Sequence, residues 1–304
     1  MLTSPVFDPY LRDILVPLVS GAKIYLTDRR ILMLPRIFGE TLRKCEITFL
    51  HTTPSILNAL MSYTFGTNQF ESLRYILIAG EPLQVGLVAR WYKHYGKNTI
   101  LVNLYGPTET TLAKVYSRIG SDFSDEIVPV GRPITDSEIY IVKDDGETEQ
   151  AHGKMGEVCI GTNYMSHGYY NDHTNPSFKY CSNRNIKLYL TGDLGYVRNG
   201  NLFLVGRKDD KKKIGGIMIR LNDIKKAVLQ YQEEQIMDCA ILYENNLLSC
   251  FYTSKSALPD NKMREFLADY LRPVHIPHKF NKIETLPITL NGKIDKNELR
   301  KLLL

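Results

Sequence analysis

The stretch TILVNLYGPTETT, residues 99–111, joins an apolar run to a Gly-Pro turn that is followed by threonines and a glutamate. Three runs of the same apolar kind precede it, namely AKIYLT at 22–27, ITFLHT at 47–52 and YILIA at 75–79. Segments with helical spacing of apolar residues lie between them, namely residues 34–45, a segment that begins at Pro54, and residues 85–95. Alternation of strands and helices at this spacing predicts parallel βαβ units. The quoted stretch is therefore expected to be a strand of an α/β fold with the loop at its carboxyl end.

Downstream, from about 115 to 205, the pattern changes to short alternating runs separated by turns rich in glycine and asparagine. Clear examples are EIYIV at 138–142, EVCIG at 157–161 and NLFLV at 201–205. This pattern predicts a curled antiparallel sheet. A charged run, RKDDKKK at 207–213, separates it from a final section that is typical of a small α+β module. We expect two domains, residues 1–205 and 206–304, with the charged run as a hinge.

The composition is that of a globular protein, because 43% of the residues are hydrophobic and 23% are charged. No apolar run is long enough to cross a bilayer, and the N-terminus lacks the pattern of a secretory signal. We therefore expect a cytoplasmic protein without a membrane partner. The net charge of +5 is spread over 38 basic and 33 acidic residues, which does not indicate a nucleic-acid partner. Five widely spaced cysteines predict neither a disulfide framework nor a structural zinc site.

The loop that follows residue 103 carries side chains suited to a nucleotide, although no GxxxxGK[ST] or GxGxxG sequence occurs. Tyr105, Thr108 and Glu109 lie just beyond the predicted strand, at the end where open α/β sheets bind ligands. A tyrosine ring can stack on a base, a threonine hydroxyl can bind phosphate, and a carboxylate can hold Mg²⁺. On these residues alone, a solvated turn is an equally good interpretation.

A series of motifs in a fixed order favours the ligand-binding interpretation. In chain order they are FDPYLRDILVPLVSGA (7–22), AGEPL (79–83), NLYGPTET (103–110), GEVCIG with HGYY (156–170), LTGDL (190–194), GRKDDKKKIGG (206–216) and NGKIDKNEL (291–299). Together they resemble the core motifs of the adenylate-forming enzymes, and among these the amino-acid adenylation domains of nonribosomal peptide synthetases. LHTTPSIL, LVGRKD and LPITLNGKID are most similar to the β-alanine-activating members. The resemblance implies part of a large AMP-binding subdomain followed by a small C-terminal subdomain.

The same resemblance implies a two-step reaction with ATP and Mg²⁺ as cofactors. The carboxylate of an amino acid attacks the α-phosphate of ATP to give an aminoacyl adenylate and pyrophosphate. A thiol then takes the acyl group, either from a phosphopantetheine of a carrier-protein domain or from coenzyme A. By motif match, the ATP-binding residues are Gly80, Asn103, Tyr105, Thr108, Asp193 and Arg207. In the family these positions contact the adenine (Gly80, Asn103 and Tyr105), a phosphate (Thr108) and the ribose hydroxyls (Asp193 and Arg207).

By the same match, Glu109 is the magnesium ligand and Lys293 is the catalytic residue. Lys293 would place positive charge beside the substrate carboxylate and the α-phosphate, where the transition state spreads negative charge. Without the other motifs, Lys293 would be interpreted as a lysine in an Asn-Gly turn. Asp209 matches the hinge about which the small subdomain of the family rotates between the two half-reactions.

The positions that match the family's substrate pocket are Asp8, Pro9, Arg12, His51, Leu77, Ala79, Leu104, Leu112 and Ala113. Asp8 would pair with the substrate α-amino group, which favours an amino acid over a fatty or aryl acid. Arg12 could bind a second carboxylate, as in aminoadipate. Equally, the neighbouring Asp13 could neutralise Arg12, and His51 could be a core histidine. A substrate such as β-alanine would leave Arg12 with another role, and the residues leave both interpretations open.

The family's phosphate loop, rich in glycine, serine and threonine and ending in a lysine, is not found in these 304 residues. In the family it lies upstream of the FDP motif and binds the β- and γ-phosphates. We therefore expect weak activity, and an exposed apolar face where the upstream part of the family would pack. The alternatives are a non-catalytic fragment that keeps the fold as a binding surface, and an acyl-CoA ligase if Asp8 contacts no amine.

Overall fold

The computed structural model describes residue 3 and residues 5–66, 69–95, 98–142, 148–149, 153–172, 175–181, 185–208, 211–214, 217–231, 236–289 and 292–303. The chain divides into two compact units, Met1–Lys208 and Asp209–Leu304. The boundary predicted from the sequence, at 205, is close to this division. The predicted hinge residue Asp209 lies outside the described residues.

Helices and strands alternate in the first unit up to the strand that ends at Tyr105, and strands follow from there on. Its helices are α1 (Pro9–Val19), α2 (Pro35–Lys44), α3 (Pro54–Leu60) and α4 (Val85–His94), with 3₁₀ turns at Arg29–Met33 and Thr108–Thr110. Its strands are β1 (Phe49–Thr52), β2 (Tyr75–Ile78), β3 (Ile100–Tyr105), β4 (Val115–Ile119), β5 (Arg132–Pro133), β6 (Ser137–Val142), β7 (Thr148–Glu149), β8 (Gly156–Thr162), β9 (Phe178–Cys181), β10 (Ile186–Arg198) and β11 (Asn201–Arg207).

The first sheet has the strand order β1-β2-β3-β4-β5. Strands β1, β2 and β3 are parallel, β4 pairs antiparallel with β3, and β5 pairs antiparallel with β4. The predicted parallel βαβ arrangement is therefore confirmed. Its register places Thr52, Ile78 and Asn103 in one row across the three parallel strands. The carboxyl ends of these strands consequently meet at one edge of the sheet, where parallel sheets bind ligands.

The parallel strands contribute buried apolar residues to the core, although Phe49 of β1 is 50% exposed. Ile76, Ile78 and Leu101 are fully buried. Trp91 of α4 is also fully buried, and its ring lies 5.4 Å from that of Phe70 between centroids. The apolar spacing that predicted α4 is thus the spacing of the face that the helix buries.

The predicted strand at 22–27 is wrong, because residues 22–28 form no regular secondary structure. A strand needs a neighbour to satisfy its backbone groups, and in the described part of the chain none pairs with this segment. Residues 22–27 thus have the apolar pattern of a strand but no partner strand. Leu26 in this segment is 70% exposed.

Helix α1 reverses the usual pattern of an amphipathic helix. Its buried residue is Asp13, whereas Leu11, Leu15 and Leu18 are all more than half exposed. A helix of a globular protein normally turns its apolar stripe to the core. Helix α1 therefore presents an apolar face to solvent.

The second sheet of this unit is antiparallel, with the order β11-β10-β8-β6-β7 and with β9 beside β10. Strand β10 is long and its register shifts between Leu190 and Leu194 and again between Leu194 and Gly195. Such bulges bend a strand and re-aim its side chains. Asp193 lies inside this irregular part and pairs with Arg207 of β11.

The second unit is an α+β module, as predicted. Its elements are β12 (Lys211–Ile214), β13 (Ile217–Arg220), α5 (Leu221–Leu229), β14 (Ile236–Glu244), β15 (Leu247–Ser254), α6 (Asp260–Ala268), a 3₁₀ turn at Pro273–His275, β16 (Lys279–Lys282) and α7 (Lys296–Lys301). Strands β14, β15 and β16 form a mixed sheet, and Leu299 of α7 packs with Phe251 of β15. In the part of the chain that is described, no helix is long and apolar enough to cross a bilayer.

Candidate nucleotide and amino-acid site

Three predicted site residues, His51, Ala79 and Gly80, lie at the carboxyl ends of β1 and β2. His51 on β1 is in register with Leu77 on β2. Ala79 and Gly80 follow β2 directly, and the backbone of Gly80 has a φ of 90°. Glycine adopts this left-handed conformation without the steric penalty of a side chain, so the chain can turn sharply at the end of the strand.

Tyr105, at the end of β3, is joined to the antiparallel sheet through Asp193. The Tyr105 hydroxyl donates to Asp193 Oδ2 at 2.6 Å, and Arg207 Nη1 donates to Asp193 Oδ1 at 3.1 Å. Burial raises the pKa of Tyr105 well above its usual value, and the charge of Asp193 raises it further. Tyr105 is therefore a neutral donor, and Asp193 carries the negative charge. These three residues, predicted to contact adenine and ribose, form one cluster.

Thr191 holds the backbone of Asp193 in place. Its hydroxyl accepts from the backbone N–H of Asp193 at 3.0 Å and donates to the carbonyl of Val158 at 2.8 Å. Thr191 is itself buried. The backbone of Asp193 is thus held by a buried neighbour, which is the kind of support that a precise binding site needs.

Asn103 is placed differently from its neighbours. Its side chain is buried, and Nδ2 donates to the carbonyl of Pro129 at 2.9 Å. This bond holds the β3 edge against the segment that precedes β5. The predicted contact of Asn103 with adenine remains a prediction.

The loop after β3 binds Asp8 directly. The Thr108 hydroxyl donates to Asp8 Oδ1 at 3.1 Å, and the backbone N–H of Leu112 donates to Oδ2 at 3.3 Å. Thr111 and Leu112 have φ values of 62° and 65°, which are rare for residues with a side chain. Backbone strain of this kind concentrates at functional sites. The residue predicted to bind phosphate and the residue predicted to bind an amine are therefore in contact.

Asp13 forms a second polar cluster, at the buried side of α1. It accepts from the Thr3 hydroxyl at 2.6 Å, from Arg12 Nη2 at 3.5 Å and from His51 Nδ1. Burial alone would raise the pKa of Asp13, but the hydrogen bonds from His51 and Thr3 and the charge of Arg12 leave it lowered. Burial lowers the pKa of His51, so the ring is neutral with its proton on Nδ1. The charges of Arg12 and Asp13 consequently offset each other.

Glu109 is contacted by a pair of tyrosines. The Tyr169 hydroxyl donates to Glu109 Oε1 at 2.5 Å, and the hydroxyls of Tyr169 and Tyr189 are 3.2 Å apart. Within the described residues, no group of three or more histidine, cysteine, aspartate or glutamate side chains could hold a metal ion. A single carboxylate with hydroxyl neighbours suits Mg²⁺, which usually takes one or two carboxylates and completes its shell with water and substrate phosphates.

Lys293 lies in the second unit, in a turn closed by Thr289. The backbone N–H of Thr289 donates to the carbonyl of Lys293 at 2.7 Å, and the backbone N–H of Lys293 donates to the Thr289 hydroxyl at 3.3 Å. The Lys293 side chain is exposed. Its backbone is thus fixed while its ammonium group remains available for a ligand.

Sequence reasoning left several site residues without a role. Tyr169 and Tyr189 lie within or next to motifs quoted above, HGYY and LTGDL, but neither was assigned to Glu109. Asp13 was considered only as a partner of Arg12, and its bond to His51 was not expected. The available signal was the position of the two tyrosines beside motifs, which does not say what a side chain contacts.

Known proteins are similar to this chain in sequence and in fold. A family model described as AMP-binding enzyme matches residues 1–170. The zwittermicin A synthase ZmaJ of Bacillus cereus is 30% identical over 294 residues, which are 92% of this chain and 55% of ZmaJ. Tyrocidine synthase 2 of Brevibacillus parabrevis is 31% identical over 97% of this chain and 8% of that protein. The chain thus spans about half the length of ZmaJ and a small part of the larger synthase.

Solved structures show the same fold. Klebsiella oxytoca NpsA, in complex with 3-hydroxyanthranilyl-AMSN, has a TM-score of 0.83 at 21% identity and covers 99% of this chain and 62% of its own. The four-domain nonribosomal peptide synthetase holo-AB3403, bound to AMP and glycine, has a TM-score of 0.80 at 26% identity over 97% of this chain and 22% of its own. The fold is therefore that of part of an adenylation domain. Since the family model also matches more than half of the sequence, the chain belongs to the family of AMP-binding enzymes.

Proposed function

We propose that this chain takes part in the ATP-dependent activation of an amino acid to an aminoacyl adenylate. The observation that supports this proposal is the cluster of Tyr105, Asp193 and Arg207, which joins two sheets at the carboxyl ends of the parallel strands. Asp8, at the N-terminal end of α1, is contacted by Thr108 of the loop after β3, and its carboxylate can accept from an ammonium group. The relative bound to AMP and glycine has this fold.

In the proposed reaction, Tyr105 stacks on adenine while Asp193 and Arg207 bind the ribose hydroxyls. Asp8 binds the substrate amine, and the hydroxyl of Thr108 donates to a phosphate oxygen. Lys293 stabilises the negative charge that develops as the carboxylate attacks the α-phosphate. Glu109 would hold Mg²⁺, which neutralises phosphate charge when bound. The acceptor of the second step is proposed to be a thiol, from a phosphopantetheine carrier or from coenzyme A.

Amino-acid-dependent exchange of pyrophosphate into ATP tests this proposal. We expect weak exchange by the 304 residues, because they contain no loop for the β- and γ-phosphates, and clear exchange by an extended form. The extended form is this chain preceded by a phosphate-loop segment from a curated relative. Silence of both forms with every amino acid would favour the non-catalytic binding protein. Exchange that depends on a simple carboxylic acid instead would favour the acyl-CoA ligase.

We further propose that the substrate has an uncharged side chain or none, as in β-alanine, rather than the second carboxylate of aminoadipate. Arg12 already forms an ion pair with the carboxylate of Asp13, so it does not need a carboxylate from the substrate. A diacid would add a second negative charge beside Asp13, and like charges at this distance repel.

Changing Asp13 to asparagine is expected to shift the preference toward aminoadipate. The asparagine oxygen can still accept from His51 and its amide nitrogen can donate to the Thr3 hydroxyl, but Arg12 is left with an unbalanced positive charge. The ratio of kcat/KM for aminoadipate to that for β-alanine, measured by exchange in the extended form, should rise about tenfold. Adding Arg12→Leu to the same variant should remove the gain. An unchanged ratio in Asp13→Asn would mean that Arg12 does not face the substrate side chain.

A further inference from the structure

We propose that Tyr169 and Tyr189 are positioning residues that fix the carboxylate of Glu109 for the metal ion of the nucleotide. This inference rests on the proposed function, in which Glu109 binds Mg²⁺. The Tyr169 hydroxyl donates to Glu109 Oε1 at 2.5 Å, while the hydroxyl of Tyr189 lies 3.2 Å from that of Tyr169. The two phenols therefore form a chain of hydrogen bonds that ends on the carboxylate.

The tyrosine pair is held rigidly. Phe178 of β9 packs against both rings, with centroid distances of 5.4 Å to Tyr169 and 5.1 Å to Tyr189. Tyr189 and Phe178 are also direct partners in the β9–β10 register. Tyr189 is 7% exposed, so its ring is packed in the protein. Its hydroxyl lies beside that of Tyr169, which is nearer the surface. Such packing locks the ring orientations, and positioned groups need locked neighbours.

The contact is not needed to hold the loop itself. The backbone carbonyl of Glu109 accepts from the backbone N–H of Ser166 at 2.8 Å, which already ties the loop after β3 to the segment that precedes β9. The bond from Tyr169 acts instead on the side chain of Glu109. A glutamate side chain has three rotatable bonds, and a bound orientation must otherwise be selected from many rotamers. The hydrogen bond from Tyr169 to Oε1 limits that choice and leaves Oε2 for a metal ion.

The geometry makes both phenols part of one chain of hydrogen bonds, because Tyr169 donates to Glu109 and the hydroxyl of Tyr189 lies within hydrogen-bond distance of that of Tyr169. Hydrogen-bond partners of metal-binding carboxylates typically contribute 10- to 100-fold to metal affinity.

The test measures how much Mg²⁺ strengthens the binding of ATP, by competition with a fluorescent AMP analogue on the full chain. Binding of the AMP analogue itself, without Mg²⁺, serves as the measure of an intact nucleotide site. We expect the Mg²⁺-dependent gain in ATP affinity to fall about tenfold in Tyr169→Phe and by a smaller factor in Tyr189→Phe. Affinity for the AMP analogue should be unchanged in both variants. Glu109→Gln, which still accepts from Tyr169 but carries no charge, should lose the gain completely.

Tyr170→Phe is the matched control, because Tyr170 is the next residue in the chain and is 91% exposed. It should behave as the unchanged protein. A normal Mg²⁺ gain in both Tyr169→Phe and Tyr189→Phe, together with its loss in Glu109→Gln, would overturn the positioning role and leave the proposed function intact. If Glu109→Gln keeps the normal Mg²⁺ gain, or if the unchanged protein shows no dependence on Mg²⁺, the metal role of Glu109 fails and the inference fails with it.

Discussion

Replacing Lys293 by alanine is expected to reduce amino-acid-dependent pyrophosphate exchange by at least about a hundredfold in the extended form. Removing one group that stabilises transition-state charge typically costs this much or more. The substitution should leave the fold unchanged, because the Lys293 side chain is exposed and alanine retains the backbone contacts with Thr289 that close the turn. The thermal midpoint should therefore stay the same while the rate falls.

Lys296→Ala is the control for this prediction. Lys296 is also an exposed lysine of the second unit, at the first position of α7, but no motif assigns it a role. Exchange by this variant should equal that of the unchanged extended form. Comparable activity in Lys293→Ala and Lys296→Ala would show that Lys293 is only a residue of the Asn-Gly turn.

Replacing Asp193 by alanine is expected to weaken AMP binding by roughly 10- to 100-fold, because a hydrogen bond to a charged group contributes about 1.5–3 kcal/mol. AMP is the appropriate ligand, since it lacks the β- and γ-phosphates that the missing loop would bind. Isothermal titration of the 304 residues measures the effect. Asp125→Ala, which removes an exposed aspartate of the same unit, should bind AMP normally.

A second pair of variants separates binding from folding. Asp193→Ala leaves the buried Tyr105 hydroxyl without its partner, which costs about 1–3 kcal/mol of folding stability. Asp193→Asn still offers an oxygen to Tyr105, so its stability should be closer to normal while AMP binding remains weak. If Asp193→Asn binds AMP as tightly as the unchanged protein, the carboxylate does not contact the ribose.

The arrangement of the parallel strands could be predicted from residues alone. The apolar runs at 47–52, 75–79 and 99–103 alternate with helical segments, and each became a strand of the first sheet. Strand and helix periods are local properties, so they can be recognised in a short window of sequence. The run at 22–27 has the same local pattern and forms no strand, because pairing depends on a neighbour that a local pattern cannot supply.

For the candidate site, too, some features could be predicted from the sequence and others could not. The ordered motifs predicted site roles for the loop at 103–110, Asp193, Arg207 and Lys293 from the sequence alone. The bonds between these residues could not be predicted in this way, since Tyr105 and Asp193 are 88 positions apart and Tyr169 and Glu109 are 60 apart. Which side chains meet over such distances is decided by the register and the bulges of the two sheets.

By itself, then, the sequence determined the family, the alternation of elements and the chemical types present at the candidate site. Only the tertiary structure decided which of those groups contact one another. In the fold, Asp13 contacts both Arg12 and His51, the Thr108 hydroxyl donates to Asp8, and Tyr169 donates to Glu109. The physical reason is that a charge or a hydrogen-bond donor acts over a few ångströms of space, whatever its distance along the chain.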